Sequence, residues 1–484
     1  MKRTNKLILL VCILAVCCAV TVIVLNTEEK KEMIRTSDET ILEIDPKSVD
    51  SLAWEYEGEE GTVSLSFSKQ DGQWIYDKDN AFPVDDEKLE MVLSVFEKLG
   101  ASFIIDEVED FSLYGLKQPE CKIAFSADGQ DYSVKLGAFS TMDAQRYVSL
   151  DDGSVYLVTE DPMDYFRVLL EDLVKFDELP AFDRVTEIRF SGEQNYRIVR
   201  VEGSDESCCV NDVYYAELDG QRLPLDTEAV EKYLRAIGSI SLTKYKSYNM
   251  SETERVAFGQ DKPQLTVEVD YADKADGGEL GEAQTFTLFM GRDLDEQTRR
   301  DAAAAANEPL ANLIVTAYVR MNDSNIVYSI SDEKCTALLA SGYDDLRHRQ
   351  AMPADFNATV ESFEATLDGE TFAFTSTLPE KGDRVFSCDT GEFVVDTLRI
   401  RIKNIAVTEF SDDVPQGYEE ISMVFHLNAP NFPEMRFAAY RVDAEKCLVT
   451  VNGEPFGYTE RQNVVDLREA VLTAAYGGYK AEED

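Results

Sequence analysis

The sequence is poor in the side chains and motifs that most often carry chemistry. Its 484 residues include only two histidines, His348 and His426, and neither has a second candidate ligand at helical or hairpin spacing. This count excludes the H-E-x-x-H type of zinc site. The sequence also has no G-x-S-x-G elbow, phosphate-binding glycine loop or dinucleotide fingerprint. We therefore expect no enzymatic activity, no catalytic residue and no bound cofactor or metal, and His348 is predicted to be a surface residue that ends a helix.

Basic residues are also scarce. Lys and Arg total 47 against 93 Asp and Glu, which gives a net charge of −46. So acidic a surface repels nucleic acid and anionic lipid head groups, and nucleic-acid binding is therefore excluded. Hydrophobic residues make up 44% of the chain, enough for well-formed cores. A chain of this length predicts about three domains.

The cysteines form no metal-binding or redox pattern. Cys12, Cys17 and Cys18 fall in an apolar N-terminal run, and the remaining six contain no C-x-x-C pair and no regular spacing. These six are Cys121, Cys208, Cys209, Cys335, Cys388 and Cys447. We interpret them as small buried hydrophobic residues, and a disulfide between repeats stays open as an alternative.

Two further patterns resemble functional motifs, and we interpret both as incidental. The S-x-x-K spacing of penicillin-binding enzymes occurs three times without the companion S-D-N or K-T-G motifs, at Ser66-Lys69, Ser241-Lys244 and Ser331-Lys334. Acidic pairs occur at Asp77 with Asp79, Asp85-Asp86, Asp151-Asp152 and Asp412-Asp413. We expect these pairs at turns and helix starts, because none follows the calcium-loop pattern, and weak Ca²⁺ binding is the alternative.

The N-terminus has the features of a membrane anchor. Residues 7–25 run without a charge, and 19 helical residues span about 28 Å, close to the thickness of a hydrocarbon core. Lys2, Arg3 and Lys6 precede the run and Glu28 and Glu29 follow it, which predicts a cytoplasmic N-terminus and an extracytoplasmic body. Residues 1–26 are thus a cytoplasmic stub with a transmembrane helix, and residues 27–40 a solvated tether. A lipid anchor at Cys17, a cleaved signal peptide and a buried core helix are the alternatives.

The strongest signal in the chain is an internal repeat. PVDDEKLEMVLSVFEKL begins at Pro83, and PLDTEAVEKYLRAIGSI begins at Pro224. Each copy has an acidic first turn and apolar residues at i, i+3, i+4 and i+7, the pattern of one buried helix face. YGLKQP at 114–119 likewise recurs as FGQDKP at 258–263.

Alternating apolar residues on either side of these helices predict hairpins, so each unit is expected to be α+β. The predicted architecture is a set of tandem repeats, each an antiparallel sheet with helices packed on one side. We place the repeat domains at 41–182, at 183–357 with insertions, and at 358–484 in degenerate form. The first repeat is expected to close with one helix carrying Phe166, Leu169, Leu170 and Leu173, and Ala302–Ala306 is expected in a short surface helix.

Several spaced residues resemble the bacterial domain-of-unknown-function 4340 family. They are Trp74, Pro83, the amphipathic helix that follows, Tyr114-Gly115-Leu116 with Pro119, Leu136-Gly137, and Tyr147 with Val155-Tyr156. The resemblance covers residues 42–357 well and the last third only loosely. It implies a membrane-anchored extracytoplasmic protein of the kind often encoded beside gliding-motility-type ABC transporters. The family has no established activity, so the resemblance assigns no catalytic residue.

These observations together predict a non-enzymatic, membrane-anchored extracytoplasmic accessory protein. We expect an ABC transporter permease and its ATPase as partners, with an unknown ligand. The alternatives are a solitary cell-surface binding or sensor protein and an envelope hydrolase.

Overall fold

A computed structural model describes residues 33–478, apart from residues 60, 205, 208, 210, 276, 309–316, 354–355, 381, 383 and 430. The described chain is α+β, with three antiparallel sheets of nine strands each. The predicted fold class is therefore confirmed at this level. One compact unit ends at Phe176, and a second begins at Asp177.

The first sheet lies in the first unit. Its strands are β1 (Met33–Leu42), β2 (Val49–Gly58), β3 (Gly61–Gln70), β4 (Gln73–Tyr76), β5 (Leu99–Asp106), β6 (Cys121–Ala127), β7 (Gln130–Ser140), β8 (Gln145–Ser149) and β9 (Val155–Val158). Its helices are α1 (Asp86–Leu93) and α2 (Met163–Phe166), with 3-10 turns at Pro46–Ser48, Ser94–Phe96, Phe111–Tyr114 and Leu170–Leu173.

The second and third sheets lie in the second unit. The second sheet comprises β10 (Arg184–Gly192), β11 (Tyr196–Arg200), β12 (Tyr214–Leu218), β13 (Gln221–Pro224), β14 (Tyr245–Ser247), β15 (Leu265–Ala272), β16 (Gln284–Arg292), β17 (Ala317–Met321) and β18 (Val327–Ile330). The third sheet comprises β19 (Val360–Leu367), β20 (Glu370–Thr377), β21 (Val385–Cys388), β22 (Gly391–Phe393), β23 (Glu409–Phe410), β24 (Glu419–Leu427), β25 (Glu434–Arg441), β26 (Lys446–Val451) and β27 (Glu454–Glu460). The helices of this unit are α3 (Thr227–Gly238), α4 (Glu252–Ala257), α5 (Leu294–Ala305), α6 (Asp332–Leu339), α7 (Tyr343–Leu346), α8 (Phe356–Thr359), α9 (Asp396–Lys403) and α10 (Arg461–Ala475).

The three sheets share one strand order. The second sheet runs β14-β18-β17-β16-β15-β10-β11-β12-β13, and the third runs β23-β27-β26-β25-β24-β19-β20-β21-β22, so the two agree position by position. The first sheet follows the same order through eight strands, β5-β9-β8-β7-β6-β2-β3-β4, and adds β1 beyond β5. One supersecondary unit is therefore used three times. The boundaries at 41–182, 183–357 and 358–484 and the packing of helices on one side stay predictions.

The repeated helix forms as its sequence pattern predicts. In α1 the Asp85 side chain accepts hydrogen bonds from the backbone N–H groups of Glu87 and Lys88, and in α3 Asp226 caps Glu228 in the same way. These caps satisfy N–H groups at the helix start that have no partner within the helix. The apolar positions are buried in both copies: Leu89, Val92, Leu93 and Phe96, then Val230, Tyr233, Leu234 and Ile237.

The repeated Tyr/Phe-Gly motif is explained by a close backbone approach. Gly115 and Gly259 have positive φ angles, +71° and +64°, which a glycine adopts at low cost. Each motif crosses a glycine of the facing strand, and a Cβ on Gly137 or Gly291 would lie 2.2 Å from the carbonyl oxygen of Tyr114 or Phe258. The repeat thus preserves contacts that only glycine permits.

Part of the predicted tether lies in the first sheet. Residues 33–40 fall within β1, which pairs antiparallel with β5. The polarity of this segment predicted a solvated linker, but pairing with β5 supplies backbone hydrogen bonds without apolar side chains. Arg35 adds ion pairs to Asp106 at 3.1 Å and to Glu39 at 2.8 Å.

The single closing helix predicted for the first repeat is replaced by two short turns. Helix α2 ends at Phe166, a 3-10 turn covers Leu170–Leu173, and Leu169 is exposed. Trp54 Nε1 donates a hydrogen bond to the carbonyl of Phe166 at 3.0 Å, and the Tyr56 hydroxyl donates to Val168 at 2.9 Å. These carbonyls are engaged by the sheet, which competes with the bonds of a continuous helix.

Candidate functional site

The second unit contains a cavity of about 420 Å³. Loop residues before β12, strand β13, the segment after α7 and residues of the third sheet line it. Its wall combines apolar and basic side chains, including Leu223, Met352, Phe456, Arg222, Arg347 and His348. Its volume falls in the range of small-molecule sites, and its basic groups contrast with the acidic chain as a whole.

Three side chains with metal-binding atoms meet at this cavity. The ligand atoms of Cys209, Asp212 and His348 all lie within 4.8 Å of one another. Cys209 and His348 also line the cavity. The Nε2 atom of His348 lies 2.9 Å from each carboxylate oxygen of Asp212, whose side chain is 4% exposed. This cluster is the candidate functional site.

The loop that carries Cys209 and Asp212 is held by its own hydrogen bonds. The Ser207 hydroxyl donates to Oδ2 of Asp212 at 2.5 Å and accepts from the backbone N–H of Cys209 at 3.0 Å. The backbone N–H of Asp212 donates to the carbonyl of Cys209 at 3.1 Å. The thiol and the carboxylate are therefore positioned by one compact turn.

His348 reaches the cluster from residues 347–352, which we call the connector. In the connector Arg347 has an extended backbone, and Gln350 forms an isolated β-bridge with Ala406. The connector bonds to the segment between α9 and β23, because the N–H of Val407 donates to the carbonyl of Arg349 at 2.8 Å. On either side of His348, the guanidinium groups of Arg347 and Arg349 lie 3.4 and 5.2 Å from the Phe410 ring centroid. The alternation of an extended chain thus directs His348 towards Asp212.

Charge and burial also shape the cavity wall. Arg222 pairs with Glu206 at 2.9 Å, and Arg347 pairs with Asp344 at 2.9 Å. The buried Nε atom of Arg347 has no hydrogen-bond partner among the residues that the structure describes. Burial raises the pKa of Tyr343, so its hydroxyl stays neutral at physiological pH. The wall can therefore offer both cationic and neutral donors to a bound group.

His348 differs from its sequence prediction. It does follow a short helix, but its side chain is 25% exposed and bonded to Asp212 rather than being a simple surface residue. Sequence reasoning missed the cluster because 136 residues separate the histidine from the aspartate. The spacing Cys209-x-x-Asp212 was a weak local signal, common by chance in so acidic a chain.

The S-x-x-K and acidic pairs occupy structural positions. Ser331 caps helix α6 by accepting from the N–H of Lys334, and Ser66 lies within strand β3. Lys69 donates to the carbonyl of Lys47 at 2.9 Å, not to Ser66. Asp85 caps α1, and Asp151 accepts hydrogen bonds from Ser133 and Lys135.

The described cysteines divide by burial. Cys121, Cys335 and Cys447 are buried, which raises the pKa of Cys121 and of Cys447 to about 12. Burial also raises the pKa of Cys335. All three fit the predicted small hydrophobic role, because a buried thiol with a raised pKa is a poor nucleophile and ligand. Cys209 and Cys388 are only partly buried.

The family assignment rests on residues 74–263, which match a model described as Domain of unknown function (DUF4340). This part of the chain belongs to the DUF4340 family. The match begins at Trp74 and ends at Pro263, and so includes the repeated helices α1 and α3 and both aromatic-glycine motifs. It includes Cys209 and Asp212 but not His348. No curated protein and no solved structure matches the chain.

The predicted transmembrane segment, residues 7–25, lies outside the described residues, as do Cys12, Cys17, Cys18 and Cys208. Within the part of the chain that the structure describes, no helix is both long and apolar enough to cross a membrane.

Proposed function

We propose that this DUF4340 protein is a non-enzymatic accessory protein of the cell envelope. One N-terminal span would hold it in the cell membrane with its body outside the cytoplasm. Its partner would be an ABC-type transport system made of a multi-span permease and an ATPase. The observation that carries this proposal is the threefold use of one sheet topology, because tandem copies of a module typically present extended binding surfaces.

The residues that recur between the repeats support a scaffold role. Gly137 and Gly291 permit backbone contacts, Asp85 and Asp226 cap helices, and the apolar residues of α1 and α3 are buried. The recurring residues thus build the fold.

Two exposed apolar side chains of the first repeat would serve as contacts for a protein partner. Leu113 is 70% exposed, and Met142, in the turn between β7 and β8, is 90% exposed. Two such large apolar side chains on an acidic protein are candidates for contact with a second protein. They would retain the protein at its complex by apolar contact, since its charge disfavours anionic head groups.

The predicted anchor would keep the first repeat close to the bilayer. Strand β1 begins at Met33, eight residues after Leu25. Eight residues span at most about 28 Å when fully extended. The first repeat would therefore lie within reach of the outer loops of a permease, and tethering would raise the effective concentration of one near the other.

Co-purification tests the partner. Tagged full-length protein, gently solubilised, should bring down a multi-span permease and its ATPase. The double variant Leu113→Ser/Met142→Ser should reduce this recovery at least about 10-fold, because it removes two apolar contacts. Met91→Ser changes a third exposed apolar side chain, 65% exposed on helix α1, and shows whether the effect is specific to Leu113 and Met142.

The proposal has a clear contrary outcome. If neither co-purification nor cross-linking recovers a multi-span protein, the transporter proposal fails. The second candidate is then a solitary cell-surface binding or sensor protein, which the cavity of about 420 Å³ favours. The third candidate is an envelope hydrolase. It would require that the protein catalyse hydrolysis in the absence of a transporter.

Location is tested separately. Protease added outside intact, wall-stripped cells should digest the body of the protein, because the charge asymmetry around residues 7–25 predicts an extracytoplasmic body. The N-terminus recovered from cells should be that of the full-length chain. A mature N-terminus at Cys17 would indicate a lipid anchor, and one near Asn26 a cleaved signal peptide.

A further inference from the structure

We propose that Cys209, Asp212 and His348 bind one zinc ion, which would link the loop before β12 to the connector. This site goes beyond the proposed function and does not depend on it. The ligands are a thiolate, a carboxylate and an imidazole, and all three ligand atoms lie within 4.8 Å of one another.

The donor set selects the metal. Mg²⁺ and Ca²⁺ prefer sites made wholly of oxygen atoms, whereas zinc takes sulfur, nitrogen and oxygen ligands together. In a tetrahedral zinc site the ligand atoms are about 3.4 Å apart. To reach this spacing, Cys209 Sγ must move closer to the other two ligand atoms, which now lie within 4.8 Å of it, and the His348–Asp212 contact of 2.9 Å must lengthen by about 0.5 Å.

The surroundings resemble the support that metal ligands need. Ser207 holds the Asp212 carboxylate at 2.5 Å and the backbone of Cys209 at 3.0 Å, so one hydroxyl orients two of the ligands. Groups that orient ligands in this way typically change metal affinity 10- to 100-fold when removed. The net charge of −46 also favours the approach of a divalent cation.

Three protein ligands leave one coordination position open. Cys209 and His348 both line the cavity, so this position would face it. A water molecule or an anionic group of a bound molecule could occupy it, close to the basic side chains of Arg222 and Arg347. The site would thus give the cavity a chemical preference for anionic ligands.

The ion would also fix the connector. Asp212 belongs to the second repeat, whereas the connector bonds to the third through Arg349 and Val407. The His348–Asp212 contact joins these parts, and a metal ion would add the Cys209 thiolate to that junction. Zinc should therefore slow backbone opening of residues 347–352.

Metal binding to the full-length protein tests the proposal. Chelator-stripped protein should take up one equivalent of Zn²⁺, and Cys209→Ser, Asp212→Asn or His348→Gln should each lower its affinity at least about 100-fold. Ser207→Ala should lower the affinity about 10-fold. The matched controls Cys388→Ser and His426→Gln remove the same chemical groups from elsewhere in the unit and should bind zinc as the parent does.

Cobalt identifies the ligands directly. Co²⁺ bound to the stripped protein should show a thiolate charge-transfer band that Cys209→Ser abolishes and that Cys388→Ser and Cys208→Ser retain. A band that persists in Cys209→Ser would overturn the site, as would zinc uptake that all three ligand variants share with the parent.

Hydrogen exchange of the unmodified protein keeps the test decisive if a variant fails to fold. Zn²⁺ should slow exchange in residues 347–352 and around Asp212, with no comparable change around Cys388. Unchanged exchange at these segments, with zinc in excess, would overturn the proposal.

Discussion

His348 Nε2 lies 2.9 Å from both carboxylate oxygens of Asp212, although 136 residues separate the two in the chain. The aspartate is on a loop of the second repeat, and the histidine is on the connector to the third. Arg349, next to His348, bonds to the carbonyl of Thr408 at 3.1 Å. The connector is thus held on one side by the second repeat and on the other by the third.

The first prediction concerns Gly291 in strand β16. A Cβ at this position would lie 2.2 Å from the Phe258 carbonyl oxygen and 2.6 Å from the Gly259 carbonyl carbon, and backbone atoms cannot move aside as a side chain can. Gly291→Ala should therefore lower the free energy of unfolding by about 1–3 kcal/mol. Urea denaturation of the purified protein measures this change.

Gly277 provides the control for that prediction. It lies in the loop between β15 and β16, and a Cβ there would meet nothing within 4 Å. Gly277→Ala should shift the free energy of unfolding by less than about 0.5 kcal/mol. Equal denaturation midpoints for the two variants would contradict the assigned contact.

This glycine contact shows what the sequence could predict. The recurrence of Tyr114-Gly115 as Phe258-Gly259 identified the repeat, and helical periodicity identified the buried faces of α1 and α3. Both signals are local, because turn chemistry and side-chain period act over a few residues.

Long-range pairing was not predictable in the same way. Residues 35–40 of strand β1 are polar, and the strand depends on pairing with β5, more than 50 residues away. The cluster of Cys209, Asp212 and His348 likewise depends on how the connector crosses a loop of the preceding repeat. Such contacts leave no periodic signal in one sequence, so the metal-binding candidate emerged only from the fold.

The second prediction compares the two carboxylates around the buried Arg146. Its guanidinium group pairs with Asp161 at 2.7 Å and with Glu120 at 2.8 Å, but Asp161 is 12% exposed and Glu120 is 50% exposed. Asp161→Ala should cost about 3 kcal/mol, because it leaves a buried cation with the solvated Glu120 carboxylate and the neutral Gly137 carbonyl as its partners. Glu120→Ala should cost less than about 1 kcal/mol, since water replaces an exposed partner.

Chemical denaturation of both variants measures this difference. The double variant Asp161→Ala/Arg146→Leu should recover part of the stability lost in Asp161→Ala, because it removes the unpaired charge. A loss as large for Glu120→Ala as for Asp161→Ala would show that exposure does not determine the strength of these pairs.

The third prediction separates a structural from a catalytic role for Ser331. Its hydroxyl accepts a hydrogen bond from the backbone N–H of Lys334 at the start of α6. Ser331→Ala should cost about 1 kcal/mol, and Ser331→Asp should retain most of the stability, because aspartate also caps helices well. An aspartate cannot serve as a serine nucleophile.

Thermal unfolding and transporter co-purification together provide the readout for Ser331. Ser331→Asp should match the parent protein in both. Loss of cellular function in Ser331→Asp, with unfolding unchanged, would contradict the capping role and support an enzyme of the S-x-x-K type.

The last prediction concerns the pH dependence of stability at Asp270 in strand β15. Hydrogen bonds from Arg189, at 2.6 and 3.1 Å, hold the pKa of this carboxyl below its usual value. A carboxyl whose pKa is lower in the folded state stabilises the fold above its unfolded pKa of about 3.9, and this contribution is lost as the pH falls through the folded pKa. Because Asp270 and Arg189 are 30% and 35% exposed, solvent screening limits the contribution to about 1 kcal/mol.

Asp270→Asn should therefore be about 1 kcal/mol less stable than the parent at pH 7, and the difference should close as the pH falls below about 4. Asp219→Asn, at an exposed turn of the same unit, is the control for the loss of one carboxylate charge. Urea denaturation from pH 3 to pH 7 measures both variants, and a pH-independent gap for Asp270→Asn would show that its effect is not electrostatic.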